Sequence, residues 1–153
     1  MVRARILLVV AGLIGSLACG SSTTPTGPDG PSSPSTPTST SPTLTSMAGV
    51  WTLITVNGNA VPAVVGQVGS DRVEIVSDAL TLTAAGTFTE NGQVRLTTGG
   101  RTQTDPVTET GTFTIDGTTV NFVGTGGVRR TGTVSGNTMT IPVEGNAWVL
   151  RKG

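Results

Sequence analysis

Histidine and tyrosine are absent from this sequence, and Cys19 is its single thiol. Without an imidazole there is no Ser-His-Asp or Cys-His arrangement and no ordinary general base for neutral pH. Zinc likewise loses its usual nitrogen and sulfur ligands. What remains for chemistry is a scatter of carboxylates: Asp71, Glu74, Asp78, Glu90, Asp105, Glu109, Asp116 and Glu144. Glu74 with Asp78, or Asp105 with Glu109, has a spacing that would suit a glycosidase pair or calcium. Most of these acids are expected at turns or on faces opposite the apolar set, where solvation accounts for them. Glycine clusters at 99–100 and 124–127 lead into strands, so they lack the helix N-terminus a phosphate loop uses and read as turns. No catalytic residue, metal ligand or cofactor is expected, and the chain reads as non-enzymatic.

Composition narrows the partners. The 153 residues carry no net formal charge, and charged residues make up 12% of them, so no basic patch exists for nucleic acid. Arg129-Arg130 is too small a footprint for a phosphate backbone. Thr, Gly and Val dominate the second two-thirds, a palette of strands and turns rather than helices.

Three segments follow from the order of residue types. Residues 1–18 form a targeting segment: Arg3 and Arg5 precede an apolar run over residues 6–17, too short to span a bilayer as a helix, which needs about 20 residues. Ser16-Leu17-Ala18-Cys19 then resembles a bacterial lipoprotein signal, in which the cysteine sulfur receives a diacylglyceryl group and the new amine an acyl chain such as palmitate. The family pattern places Leu three residues before the cysteine, where this chain has Ser16. Small residues at Ser16 and Ala18 also suit an ordinary signal peptidase, which would release a soluble protein. The resemblance implies a lipidated Cys19 and three acyl chains, enough for effectively permanent anchoring, since one chain binds only marginally. The expected location is the envelope of a bacterium, facing the periplasm or the outer surface, with membrane lipid as the first partner.

Residues 19–46 form the tether. From Gly20 onward it is Ser, Thr, Pro and Gly apart from Asp29 and Leu44. Such a segment has too little apolar surface to offset the entropy of ordering and is expected to be disordered. It would reach between roughly 30 Å as a coil and roughly 80 Å when extended.

Residues 47–153 change to a period of two. Trp51 and Leu53 share one face of a first strand over residues 49–56, with Thr52, Ile54 and Val56 on the other. Asn57-Gly58, Asp116-Gly117 and Gly136-Asn137 are hairpin signals. Parity slips between Ile75 and Leu80, which predicts a β-bulge near Ser77-Asp78. Residues 97–106 are polar and predict a long loop. The count is eight or nine short strands, an antiparallel up-and-down meander that closes on itself because closure removes exposed edges. Trp51, Phe88, Phe113, Phe122 and Trp148 fall on separate strands, as one core requires. The expected core, equally the candidate ligand-contact set, is Trp51, Leu53, Leu80, Leu82, Phe88, Phe113, Ile115, Val120, Phe122 and Trp148.

Gly49-x-Trp51 at the first strand and Arg151 on the last resemble the lipocalin-like family of small β-barrels. That resemblance implies an all-β barrel of about eight strands closed at Gly49, Trp51 and Arg151, the guanidinium lying over the indole. It also implies a small hydrophobic ligand inside. The chain is shorter than full-length lipocalins and lacks their C-terminal helix and disulfides, which argues against a pocket of their size. Two functions are therefore expected: an anchored, monomeric ligand-binding barrel, or a solid barrel that contacts another envelope protein.

Overall fold

The computed structural model describes residues 41–153. The expectations for the targeting segment, for Cys19 and for the tether up to residue 40 lie outside the described residues. From residue 49 onward the chain is an antiparallel meander, and its strands alternate small β-branched residues with apolar ones, as a half-buried sheet demands.

Ten strands form: β1 (Gly49–Val56), β2 (Asn59–Ala60), β3 (Ala63–Val68), β4 (Asp71–Leu82), β5 (Thr87–Thr98), β6 (Arg101–Asp116), β7 (Thr119–Gly124), β8 (Arg129–Ser135), β9 (Thr138–Val143) and β10 (Asn146–Lys152). They make one sheet in the order β2-β1-β10-β9-β8-β7-β6-β5-β4-β3, and β1 also pairs with β4 through Gly49↔Leu82 to Thr52↔Ala79. That second pairing closes an eight-stranded barrel from β1 and β4 to β10. First and last strands lie side by side, Trp51 opposite Lys152 and Leu53 opposite Leu150.

Tight turns do most of the joining. Asn57 and Gly58 both have positive φ (51° and 79°), the geometry of a two-residue hairpin. The turn after β6 is one residue later than the sequence suggests, with Gly117 at φ 57° as its left-handed residue. The long loop expected at 97–106 does not exist. β5 and β6 stay paired to Thr98↔Arg101, and Gly99-Gly100 alone reverses the chain. Polarity misled there because this part of the hairpin projects beyond the barrel, and its Thr-rich strands are wet on the outside.

Two bulges set which side chains enter the barrel. In β4 the register shifts between Ile75 and Ser77, one extra residue that lets Ile75, Asp78, Leu80 and Leu82 all face inward. In β1 it shifts between Leu53 and Thr55, so Val56 turns inward and is 1% exposed, against the outward face its parity suggests.

Eight of the ten expected core residues are buried to within 3% exposure, and Ile115 and Trp148 pack against them partly buried. Met47, Val56, Ala63, Ile75, Val134, Met139, Ile141 and Leu150 complete the interior. Phe88 meets Phe122 edge-on at 5.5 Å between centroids, and Phe113 leans on Phe122 at 6.0 Å.

The folded part begins before residue 47. Thr43 and Ser46 form a reciprocal capping box around a single helical turn, α1 (Leu44–Met47), where the sequence reads as spacer. α1 lies across the lower end of the barrel: Met47 is 1% exposed, and the Trp51 indole Nε1 donates to its carbonyl oxygen at 2.8 Å.

Candidate functional site

Most of the carboxylates are expected to be explained by solvent, and the barrel treats several of them otherwise. Asp78, Glu90 and Glu74 are 6%, 7% and 9% exposed. Asp78 sits two residues before Leu80 on β4, Glu90 two after Phe88 on β5, and Glu109 four before Phe113 on β6. Arg130 sits four before Val134 on β8. Strand parity therefore carries all four into the barrel, above the aromatic layer.

Arg130 is the centre of this set. Its Nη1 donates to Glu90 Oε1 at 2.9 Å, and its Nη2 donates to Glu90 Oε2 in a bidentate pair. The same Nη2 donates to Glu109 Oε2 at 2.7 Å. The guanidinium carbon also lies 6.0 Å from the Phe88 ring centroid. Burial works against the charged guanidinium, but Glu90, by hydrogen bond and charge, and then Glu109 and Asp78 hold its pKa above the ordinary value. Asp78 makes no ion pair with Arg130 within 4 Å. Burial, and then the neighbouring charge of Glu90, raise its pKa to about 7, although Arg130 pulls the other way.

Glycines make the room. A Cβ on Gly92 would come 2.8 Å from Asp78 Oδ1, and one on Gly124 would run into the Glu109 carboxylate. Gly92 stands opposite Asp78 on the neighbouring strand, and Gly124 caps β7 between β6 and β8. Close approach of a polar side chain to the opposite wall requires glycine at these positions.

The acid pairs suggested by spacing do not form. Glu74 lies on the other face of β4, held by Arg72 Nε at 3.2 Å and Arg95 Nη1 at 3.7 Å. The β4 bulge separates it from Asp78. Asp105 accepts from Gln103 Nε2 at 2.6 Å, while Glu109 belongs to Arg130.

Comparison of the chain with protein-family models, with curated proteins and with solved structures found no match. The site is thus read from its own geometry.

Arg151 does not close the barrel. It pairs with Thr52 on the outward parity and is exposed, whereas Lys152 stands opposite Trp51. Lys152 Nζ donates to the Ser46 carbonyl at 2.6 Å, and its Cε would be 3.1 Å from a Cβ on Gly49. The β1–β10 register shifts the closing cation by one residue.

At the aromatic level eight of the ten expected residues belong to one buried cluster, with Ile115 and Trp148 packed against it. Grooves described among residues 41–153 lie outside the barrel. One runs between Pro42–Leu44 and Phe113–Ile115, one between Met47 and Ser135–Asn137, and one at Leu96 and Arg101–Gln103. Among the described residues, Trp148 Nε1 is the one buried side-chain polar atom without a hydrogen-bond partner.

Above the charged set, β4, β5 and β6 continue as a ribbon with β3 added on one side. β7 pairs with β6 only from Gly111 down, and the Thr125 amide holds Thr110, so residues 101–109 form a free edge. That edge carries Arg101, Asp105, Pro106 and Glu109, which discourage strand addition. β3, at the other side, has the sequence Ala-Val-Val-Gly-Gln-Val and carries neither charge nor proline. Its Val64 and Val68 are 46% and 84% exposed.

Proposed function

We propose that the chain is a non-enzymatic, membrane-anchored lipoprotein of a bacterial cell envelope, whose barrel is a filled scaffold presenting β3 to a partner protein. The uncharged, proline-free edge of β3 carries this reading, because unpaired strand N–H and C=O groups beside exposed valines are a template for an added strand. The packed aromatic cluster supports it as well, since it would make the barrel a rigid mount. Lipidation of Cys19, followed by the Ser, Thr, Pro and Gly residues before the barrel, would let the mount work away from the membrane surface.

Site-specific photo-crosslinking in cells tests it. A crosslinker at Val68 should trap a discrete protein adduct that disappears when Val64 is changed to Lys. The same crosslinker at Thr140, within the covered β8–β10 ladder, should trap none. Equal adducts at both positions, or none at Val68, would remove the partner reading.

A second reading has its own observation. The inward face of the ribbon holds Val73, Val94, Leu96 and Val107, the last two 37% and 45% exposed, just above the Arg130 set. A small apolar ligand lodged there would resemble the cargo of lipocalin-like barrels, with Trp148 Nε1 free to donate to it. Saturable displacement of a fluorescent fatty acid, weakened by Leu96→Asp, would favour this reading over the first.

A further inference from the structure

Three carboxyl groups and one guanidinium meet on the inner wall, and their pairing is unequal. Glu90 holds Arg130 through two hydrogen bonds, Glu109 through one, and Asp78 through none. Glu109 is also the most exposed member, its side chain 21% accessible against 9% for Glu90. The weakest leg of the set is therefore Arg130–Glu109.

That leg has a particular place in the fold. It runs from β8 to β6 across Gly124, the last residue of β7 paired with β6. Immediately below it the Thr125 amide donates to Thr110 at 2.8 Å, and above it β6 has no neighbour on that side. Arg130–Glu109 is thus the first tie at the foot of the projecting ribbon. The inward side chains on the other strands include Val56 of β1, Ala63 of β3, Phe122 of β7, Ile141 of β9 and Trp148 of β10, none of them charged. Glu74, Arg72 and Arg95 form a separate set on the opposite face. The charged groups that act on Asp78 are Glu90 and Arg130. Glu109 and, four residues farther up the ribbon, Asp105 share the inward parity of β6.

We propose that Asp78 works as a proton-operated latch for the β5–β6 ribbon. With Asp78 neutral, Arg130 is shared by Glu90 and Glu109 and ties the ribbon's foot to β8. When Asp78 ionises, it competes for the same guanidinium, draws it from Glu109 and frees that foot. The formal charge on the four groups changes from −1 to −2 in the process. Its raised pKa, near 7, puts the change within reach of ordinary environmental pH.

NMR of the full chain between pH 5 and 8.5 tests the latch. In the unaltered protein, the Asp78 carboxyl carbon should titrate with a midpoint near neutrality. The amides of Glu109, Thr110 and Arg130 should shift or broaden with the same midpoint, while those of β9 and β10 stay still. Asp78→Asn should fix the three amides at their acid positions throughout. An Asp78 carboxyl already ionised at pH 5, or one that titrates while the ribbon amides remain fixed, would overturn the proposal. The first measurement needs no variant, so it decides the matter even if Asp78→Asn fails to fold.

Discussion

The Trp51 indole and the Met47 carbonyl are joined by a buried hydrogen bond of 2.8 Å, so the residue that begins the barrel also holds the helical turn that covers its lower end. An indole N–H in an apolar interior needs an acceptor, and α1 supplies one from its last residue. Trp51→Ala is expected to cost about 3–5 kcal/mol from the lost ring alone. Trp51→Phe should retain most of the packing and lose about 1–3 kcal/mol by leaving the carbonyl unpaired. Urea unfolding of the two variants separates packing from the bond.

Arg151 and Lys152 are neighbours in sequence with opposite surroundings. Arg151→Ala is expected to change stability by less than about 0.5 kcal/mol, because its side chain is exposed on the outer face. Lys152→Ala should cost about 0.5–1.5 kcal/mol through loss of the bond to Ser46 and of the stem packed over Gly49. Thermal unfolding of both variants at one ionic strength would show the order, and the reverse order would restore Arg151 as the closing residue.

Two inward glycines should respond differently to alanine. At Gly111 a Cβ would strike the Val123 carbonyl oxygen and come 2.7 Å from the Phe88 ring, and neither can retreat. Gly111→Ala is expected to destabilise by about 2 kcal/mol or more, as overpacking does. At Gly124 the obstacle is the movable end of Glu109. Gly124→Ala should therefore cost less, about 1 kcal/mol, while displacing Glu109 from Arg130. Denaturant midpoints compare the costs, and Arg130 side-chain NMR signals report the displacement.

Stability should fall as pH rises through neutrality. The folded pKa of Asp78, about 7, lies above its ordinary value of 3.8, so the folded state binds this proton more tightly than the unfolded chain does. Below pH 3.8 both states are protonated and the group adds no penalty. Between there and pH 7 the penalty of ionising it in the barrel develops, and above pH 7 it is complete, at most about 4 kcal/mol. Urea midpoints of the unaltered chain should thus be lower at pH 8 than at pH 5. Asp78→Asn should remove most of that slope and raise the midpoint at pH 8.

The charged set was within reach of the sequence, and its concealment has a physical cause. Asp78-x-Leu80-x-Leu82 and Phe88-x-Glu90 obey one parity, so the same alternation that assigns the leucines and Phe88 to the core assigns the acids there too. Acids are assumed to face water because burial of an unpaired charge is costly. Their partner, Arg130, is 40 residues from Glu90 along the chain, and no local signal joins them. Only closure of the sheet brings β8 opposite β5 and lets one guanidinium offset that cost.

Alternation and turn chemistry belong to the chain by itself. They decide the all-β class, the hairpins at Asn57-Gly58 and Gly136-Asn137, and eight fully buried core residues, because each depends on neighbours one to three positions away. Tertiary structure decided what depends on register between strands. It placed Lys152 rather than Arg151 beside Trp51, turned Val56 inward through a bulge, and extended β5 and β6 into a ribbon where polar composition suggests a loop. A one-residue slip moves every side chain to the other face of a sheet. That register is fixed by which strands pair, and pairing exists only once the barrel has closed.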